Sequence, residues 1–173
     1  RIAVVGAGPA GLSFAVTAAE RGHTVELFDA ASEIGGQFNI AKKVPGKEEF
    51  YETLRYFDRQ LALKGVKLSL NTRVSAAQLA QGGYDDIVLA TGVTPRTPAI
   101  DGVNHPKALS YLDVLRDGKS VGKTVAVIGA GGIGFDVSEF LTHSGTSASV
   151  DAPKFYAEWG IDTGYAQAGG ITK

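Results

Sequence analysis

Residues 2–11, IAVVGAGPAG, are a short apolar run that stops abruptly in a glycine-rich turn. Ile2, Val4 and Val5 are strand formers. Gly6, Gly8 and Gly11 stand at the first, third and sixth places of a GxGxxG turn, the arrangement that holds a dinucleotide pyrophosphate where a strand feeds a helix. Gly6 permits the tight turn, Gly8 lets the backbone approach a phosphate, and Gly11 allows the next helix to pack closely on the strand. That helix is expected from Pro9, where a missing N–H costs nothing, with its free amides and positive dipole end facing the anion.

A lone GxGxxG is a weak signal, but its surroundings strengthen it. Leu12, Ala15, Val16 and Ala19 form an apolar helical stripe, Gly22 stops the helix, and Thr24 to Phe28 (TVELF) reads as a second strand. Asp29 follows, a carboxylate roughly 20 residues beyond the glycines, placed to accept hydrogen bonds from an adenosine ribose. A ribose carrying a 2′-phosphate is disfavoured there, because two negative charges would meet. The later pair Gly35 and Gly36 suggests a further close backbone approach, an extension common in flavoproteins that lay FAD across the sheet; Gln37 beside it can donate and accept. A plain surface loop is the alternative.

Pro45 and Gly46 break the chain, and Phe50, Leu54, Phe57 and Leu61 then recur at helical spacing until Gly65. Lys47, read as first-turn, is ordinarily a solvated lysine, though its place after the glycine pair makes a cofactor contact conceivable. Val66 to Leu70 alternates as a strand, 76–81 suits a short helix, and Asp86 to Ala90 (DIVLA) is an apolar strand ending at Thr91 and Gly92, small residues suited to passing under a ligand. Asp85 and Asp86 read as turn residues rather than paired catalytic acids. Ser110 and Asp113 suggest a capping box opening a helix to Leu115.

The opening unit then repeats. Thr124 to Ile128 (TVAVI) reads as a strand, and Gly129, Gly131, Gly132 and Gly134 make a second turn, GAGGIG, before a helix to His143. Two such turns roughly 120 residues apart imply two dinucleotide sites, unless the second only packs a helix on a strand. From Ser144 the chain is polar, with Phe155, Tyr156 and Trp159 expected to pack as a satellite cluster rather than to stack on a ligand. His23, His105 and His143 show no metal-ligand spacing.

The 173 residues are 44% hydrophobic and 20% charged, with a formal net charge of −1. Such a balance gives no reason to expect nucleic acid or an anionic membrane as a partner. No apolar run approaches the roughly 20 residues that span a bilayer, and no signal peptide precedes the first strand, so a cytoplasmic location is expected. Cysteine is absent, which excludes a redox disulfide or a thiolate-held iron–sulfur cluster within these residues. The lack of methionine and the start at Arg1 suggest a piece of a larger protein; modified methionines missing from the sequence would also explain the count.

GAGPAGLSFAVTAAERGHTVELFD, SEIGGQFNIAKKVPGKEEFYETLRY, DGVNHPKALSYLDVLRDG, GAGGIGFDVSEFL and EWGIDTGYAQAGG together resemble the bacterial type of NADPH-dependent 2,4-dienoyl-CoA reductase. The resemblance runs through essentially the whole chain. It implies that electrons pass from NADPH to FAD, then through a 4Fe-4S cluster to FMN on a β/α barrel, and on to a dienoyl thioester in unsaturated fatty acid degradation. It places the barrel, the cluster cysteines and the catalytic groups outside these residues. By matching position it assigns FAD contacts to Ala10, Asp29, Gln37, Lys47 and Val74. It also implies that the segment closing the FAD domain lies elsewhere in the parent chain, so that this piece alone is expected to be inactive.

The fold expected is α/β, a Rossmann-like FAD/NAD(P)-binding fold of the two-dinucleotide-binding-domain type, incomplete, with a parallel sheet flanked by helices. Residues 1–120 read as the first portion of an FAD domain, and 121–173 as the opening of an NADPH domain with a polar insertion. Expected partners are the two dinucleotides and the remaining barrel and C-terminal segments. Rival readings are a related amine dehydrogenase or enoate reductase, the NADPH-handling subunit of glutamate synthase, which the PGKEEFYETLRY stretch disfavours, and a non-enzymatic dinucleotide sensor.

Overall fold

The computed structural model describes residues 1–172. They divide into two compact units, the first made of 1–40 and 50–109, the second of 41–49 and the residues from Ser110 onward.

The first unit is built on β1 (Ile2–Val5), α1 (Pro9–Glu20), β2 (Val25–Phe28), α3 (Phe50–Leu63), β3 (Lys67–Ser69), α4 (Ala76–Gln81) and β4 (Asp86–Leu89); the short α2 (Phe38–Ala41) precedes α3. The four strands form a parallel sheet in the order β3-β2-β1-β4, with Val4 opposite Leu27 on one side and Val88 on the other. Side chains alternate across a strand, so β1 serves two cores at once. Ile2 and Val4 meet Leu12, Ala15, Val16, Leu27, Leu54 and Leu61, whereas Ala3 meets Phe28 and Leu79 with Val5, Val74 and Tyr84 alongside. The helical stripe expected around Leu54 and Leu61 is buried, and Phe50 stacks on Phe38 with ring centroids 4.3 Å apart.

Glu26 is the one charged residue among the buried set of the described chain. Lys67 Nζ lies 2.6 Å from one carboxylate oxygen, and the Tyr84 hydroxyl donates to the other at 2.8 Å. Burial opposes ionisation of Glu26, but the hydrogen bonds from Lys67 and Tyr84, helped by the Lys67 and Arg1 charges, outweigh it and hold the carboxyl below its usual range. A depressed native value adds stability that is present above the unfolded value, about 4.3 for glutamate, and is lost as pH falls through the native value. The urea midpoint is therefore expected to drop below about pH 4.3, and Glu26→Gln to flatten that part of the profile.

The second unit holds α5 (Tyr111–Leu115), α6 (Gly132–Thr142), a 3-10 turn at Ala148–Val150 and α7 (Ala152–Glu158). Its buried apolar residues include Val44, Val114, Leu115 and Val137. The capping box forms as expected: Ser110 Oγ accepts from the Asp113 amide, and the Asp113 carboxylate accepts from the Ser110 amide at 2.7 Å. Lys119, with the Ser110 hydroxyl and amide, holds the Asp113 carboxyl well below the usual carboxylate range. Ser110→Ala is expected to cost about 1 kcal/mol in a denaturation experiment.

Three expectations need correction. Residues 124–128 join no strand ladder among the described residues, and Val125, Val127 and Ile128 are exposed. Strand structure is a property of a pair, and among the described residues no strand pairs with this segment. Lys47 lies in a turn before α3, its amide bonded to the Val44 carbonyl, rather than in the first turn of the helix. Phe155, Tyr156 and Trp159 do contact one another, but on an exposed surface.

Candidate dinucleotide sites

The turn after β1 is shaped by backbone approaching backbone. Gly6 has φ +108°, and a Cβ there would lie 2.2 Å from the Ala90 carbonyl oxygen and 3.2 Å from the Thr91 Cα. A Cβ on Gly11 would lie 1.8 Å from the Gly6 carbonyl oxygen. Those two glycines are therefore demanded by the fold. Gly8 differs: a Cβ there meets nothing within 4 Å. It caps α1 in an extended conformation and gives no side-chain cap, and the first bond of the helix runs from the Leu12 amide to the Gly8 carbonyl at 2.9 Å. The earlier amides of α1, that of Ala10 among them, are thus left at an open helix end, the arrangement that receives a phosphate.

The loop after β2 folds back onto this turn. Asp29 accepts from the Ala7 amide at 2.6 Å and from the Ala31 amide at 2.8 Å, and the Gly35 amide donates to the Ala7 carbonyl at 2.8 Å. Gly36, at φ +51°, comes so close that a Cβ would stand 3.1 Å from the Gly8 Cα. The glycine pair thus packs the returning loop against the first turn. Asp29 is a brace for that turn as well as the acid at the end of β2; two of its lone-pair positions are used, and a carboxylate has about four.

Of the remaining sequence-derived candidates, Gln37 is exposed immediately after the pair, and the side chain of Val74 packs beside Ala3, Phe28 and Leu79. Thr91 and Gly92 follow β4, Thr91 running against Gly6 and Gly92 taking φ +72°. Ala7 and Ala90 are structural members of the site that motif reading passed over. Ala90 has a sequence signal, since it ends the apolar run against a glycine turn; the Asp29 bond to Ala7 has none.

The second unit repeats the turn. Gly129 has φ +118°, a Cβ on Gly134 would lie 2.0 Å from the Gly129 carbonyl oxygen, and Gly131 caps α6 in an extended conformation with no side-chain cap. Gly131 and Gly132 have nothing within 4 Å of a built Cβ, and the Phe135 amide reaches the Gly131 carbonyl at 3.1 Å, as Leu12 reaches Gly8. The positive φ of Gly6, the uncapped helix end at Gly8 and the steric exclusion at Gly11 thus recur at Gly129, Gly131 and Gly134, whereas the close backbone approach at Gly6 does not: a Cβ on Gly129 meets nothing within 4 Å.

Lys47, which the resemblance assigns to FAD, belongs to the second unit. Its ammonium lies 2.6 Å from both carboxylate oxygens of Asp136 on α6. Among the described residues no group of three or more His, Cys, Asp or Glu forms a metal site, and no helix is long and apolar enough to cross a membrane.

A parallel sheet with a glycine turn feeding an open helix end, followed by a second such turn, is the Rossmann-like architecture of dinucleotide-binding domains. Residues 1–156 match the pyridine nucleotide-disulphide oxidoreductase family, and the chain belongs to it as an FAD/NAD(P) oxidoreductase domain. The chain is 34% identical over 154 residues to an NADH oxidase of Thermoanaerobacter brockii, covering 87% of this chain and 24% of that one. It is 32% identical over 150 residues to a metal reductase of Desulforamulus reducens, covering 84% and 22%. The solved structure of a 2-naphthoyl-CoA reductase in complex with 2-naphthoyl-CoA superposes with a TM-score of 0.77 at 34% identity, over 82% of this chain and 21% of that one. The chain therefore spans about a quarter or less of the length of these relatives.

The residues present fit the dinucleotides of the family. Gly8 and Gly131 each head a helix that no side chain caps, and a Cβ at either would meet nothing within 4 Å, so both helix ends adjoin open space.

Proposed function

We propose that this chain is the FAD site and the opening of the NADPH site of a flavin-dependent reductase of conjugated acyl-CoA thioesters, the 2,4-dienoyl-CoA reductase type. FAD held there would supply two-electron chemistry between NADPH and an iron–sulfur cluster and FMN that the parent protein would carry elsewhere.

The residues of this chain bind and orient rather than react. The open end of α1 with Gly8 receives the FAD pyrophosphate. Asp29 fixes the turn through Ala7 and offers its remaining lone pairs to the ribose. Gln37 and the backbone of Ala10 and Val74 contribute further polar groups to FAD, with Thr91 and Gly92 as small residues beneath it. Lys47 is the contact that the family resemblance adds. Gly129, Gly131, Gly132 and Gly134 receive NADPH.

The observation that supports the substrate class is the likeness to the 2-naphthoyl-CoA reductase, a protein solved with an acyl-CoA and matched across 82% of this chain. The test is to purify the parent protein, release and identify its cofactors by chromatography, and follow NADPH oxidation with a 2,4-dienoyl-CoA. Bound FAD and substrate-dependent oxidation are expected; a parent without FAD overturns the reading. Activity with an amine donor and none with a dienoyl thioester would transfer it to the amine dehydrogenases.

A further inference from the structure

Segment 41–49 interrupts the first unit in sequence yet packs as part of the second. Val44 is buried, Lys43 Nζ donates to the Leu115 carbonyl at 2.7 Å, Glu48 accepts from the Ser149 hydroxyl, and Lys47 grips Asp136 with both carboxylate oxygens at 2.6 Å. Asp136 stands in α6, two residues beyond Gly134. Its side chain is three-quarters buried, so its charge is only partly screened by solvent. An unpaired carboxylate near the head of this helix would repel the anion that an uncapped helix end and an open glycine turn attract.

We propose that Lys47 is a positioning residue of the second dinucleotide site, acting through Asp136: it holds that carboxylate in a neutral pair, so that an anionic dinucleotide can approach the Gly129–Gly134 turn. The inference rests on the reading of that turn as a nicotinamide dinucleotide site.

The experiment is equilibrium titration of the full-length parent protein with NADP+, which binds without reducing the flavin, alongside measurement of retained FAD. Lys47→Gln is expected to weaken NADP+ binding about three- to tenfold, more at low salt than at high salt. Asp136→Asn, which removes the repulsive group, is expected to bind as well as the unmodified protein or better. The double variant is expected to return to within about twofold of the unmodified protein, a rescue that a mere structural brace would not give. Asp136→Asn alone decides the matter if Lys47→Gln fails to fold: a loss of NADP+ affinity in that variant overturns the proposal. So does a double variant as weak as Lys47→Gln, or a Lys47→Gln that loses FAD with NADP+ affinity intact, which would make Lys47 a flavin contact only. If the unmodified protein binds neither NADP+ nor NAD+, the second turn is not a nicotinamide site and the inference falls with that reading; unchanged affinity in Lys47→Gln sinks the inference alone.

Discussion

Gly11→Ala is expected to unfold or strongly destabilise the first unit, while Gly8→Ala is expected to fold normally and fail to hold FAD. A methyl on Gly11 would sit 1.8 Å from the Gly6 carbonyl oxygen. That oxygen belongs to a turn itself pinned, since the Gly6 amide bonds to the Phe28 carbonyl at 2.7 Å and Gly6 abuts Ala90. Neither backbone can yield without pulling α1 off β1, so the cost is expected at the upper end of overpacking, about 3 kcal/mol or more. At Gly8 the same methyl meets nothing within 4 Å, and φ is −76°, a value that alanine adopts freely. Its stability is expected to stay within about 0.5 kcal/mol of the parent. On the proposed reading the methyl would stand in the space assigned to the pyrophosphate, and FAD affinity is expected to fall by at least tenfold, about 1.4 kcal/mol. Thermal melts paired with FAD titration on the two variants check this. Equal loss of stability would refute the division of labour between the two glycines.

Asp29→Ala is expected to lose both a structural tie and a ligand tie. The Ala7 amide is part-buried and has Asp29 as its acceptor at 2.6 Å, so removal of the carboxylate leaves a donor unsatisfied in the wall of the turn. Hydrogen bonds to charged groups contribute about 1.5–3 kcal/mol each, and a cost of about 2 kcal/mol is expected in urea unfolding without cofactor. FAD retention is expected to fall further than stability predicts, because the acceptors that the proposed reading assigns to the ribose leave as well. Asp29→Asn separates the two effects. It keeps an oxygen for Ala7 while removing the charge, so most of the stability is expected to remain while FAD affinity drops by about tenfold. A variant that retains FAD as well as the parent would show that Asp29 serves the turn alone.

Much of this was legible in the sequence because its signals are local. The β1–α1–β2 unit is announced by an apolar run, a glycine turn and a helical stripe within a few turns of chain, and the structure forms β1, α1 and β2 at Ile2–Val5, Pro9–Glu20 and Val25–Phe28. The capping box at Ser110 is equally local. What was not legible depends on distant partners. Residues 124–128 have strand composition, but pairing needs a neighbour that no local pattern reveals. The place of Lys47 is settled by Asp136, far along the chain, and the brace from Asp29 to Ala7 by the return of β2 beside β1. Glu26 reads as an interruption of an apolar strand until Tyr84 and Lys67 are brought to it.

The sharing of chain between the two units constrains how this architecture can be recombined. A chimera that exchanges the second unit at Ser110 would leave Val44, Lys43, Lys47 and Glu48 behind with the wrong parent. The incoming unit would meet a foreign strap in place of its own. The functional module for exchange is discontinuous, and grafts that carry 41–49 along with the residues from Ser110 onward are the ones expected to yield well-folded hybrids.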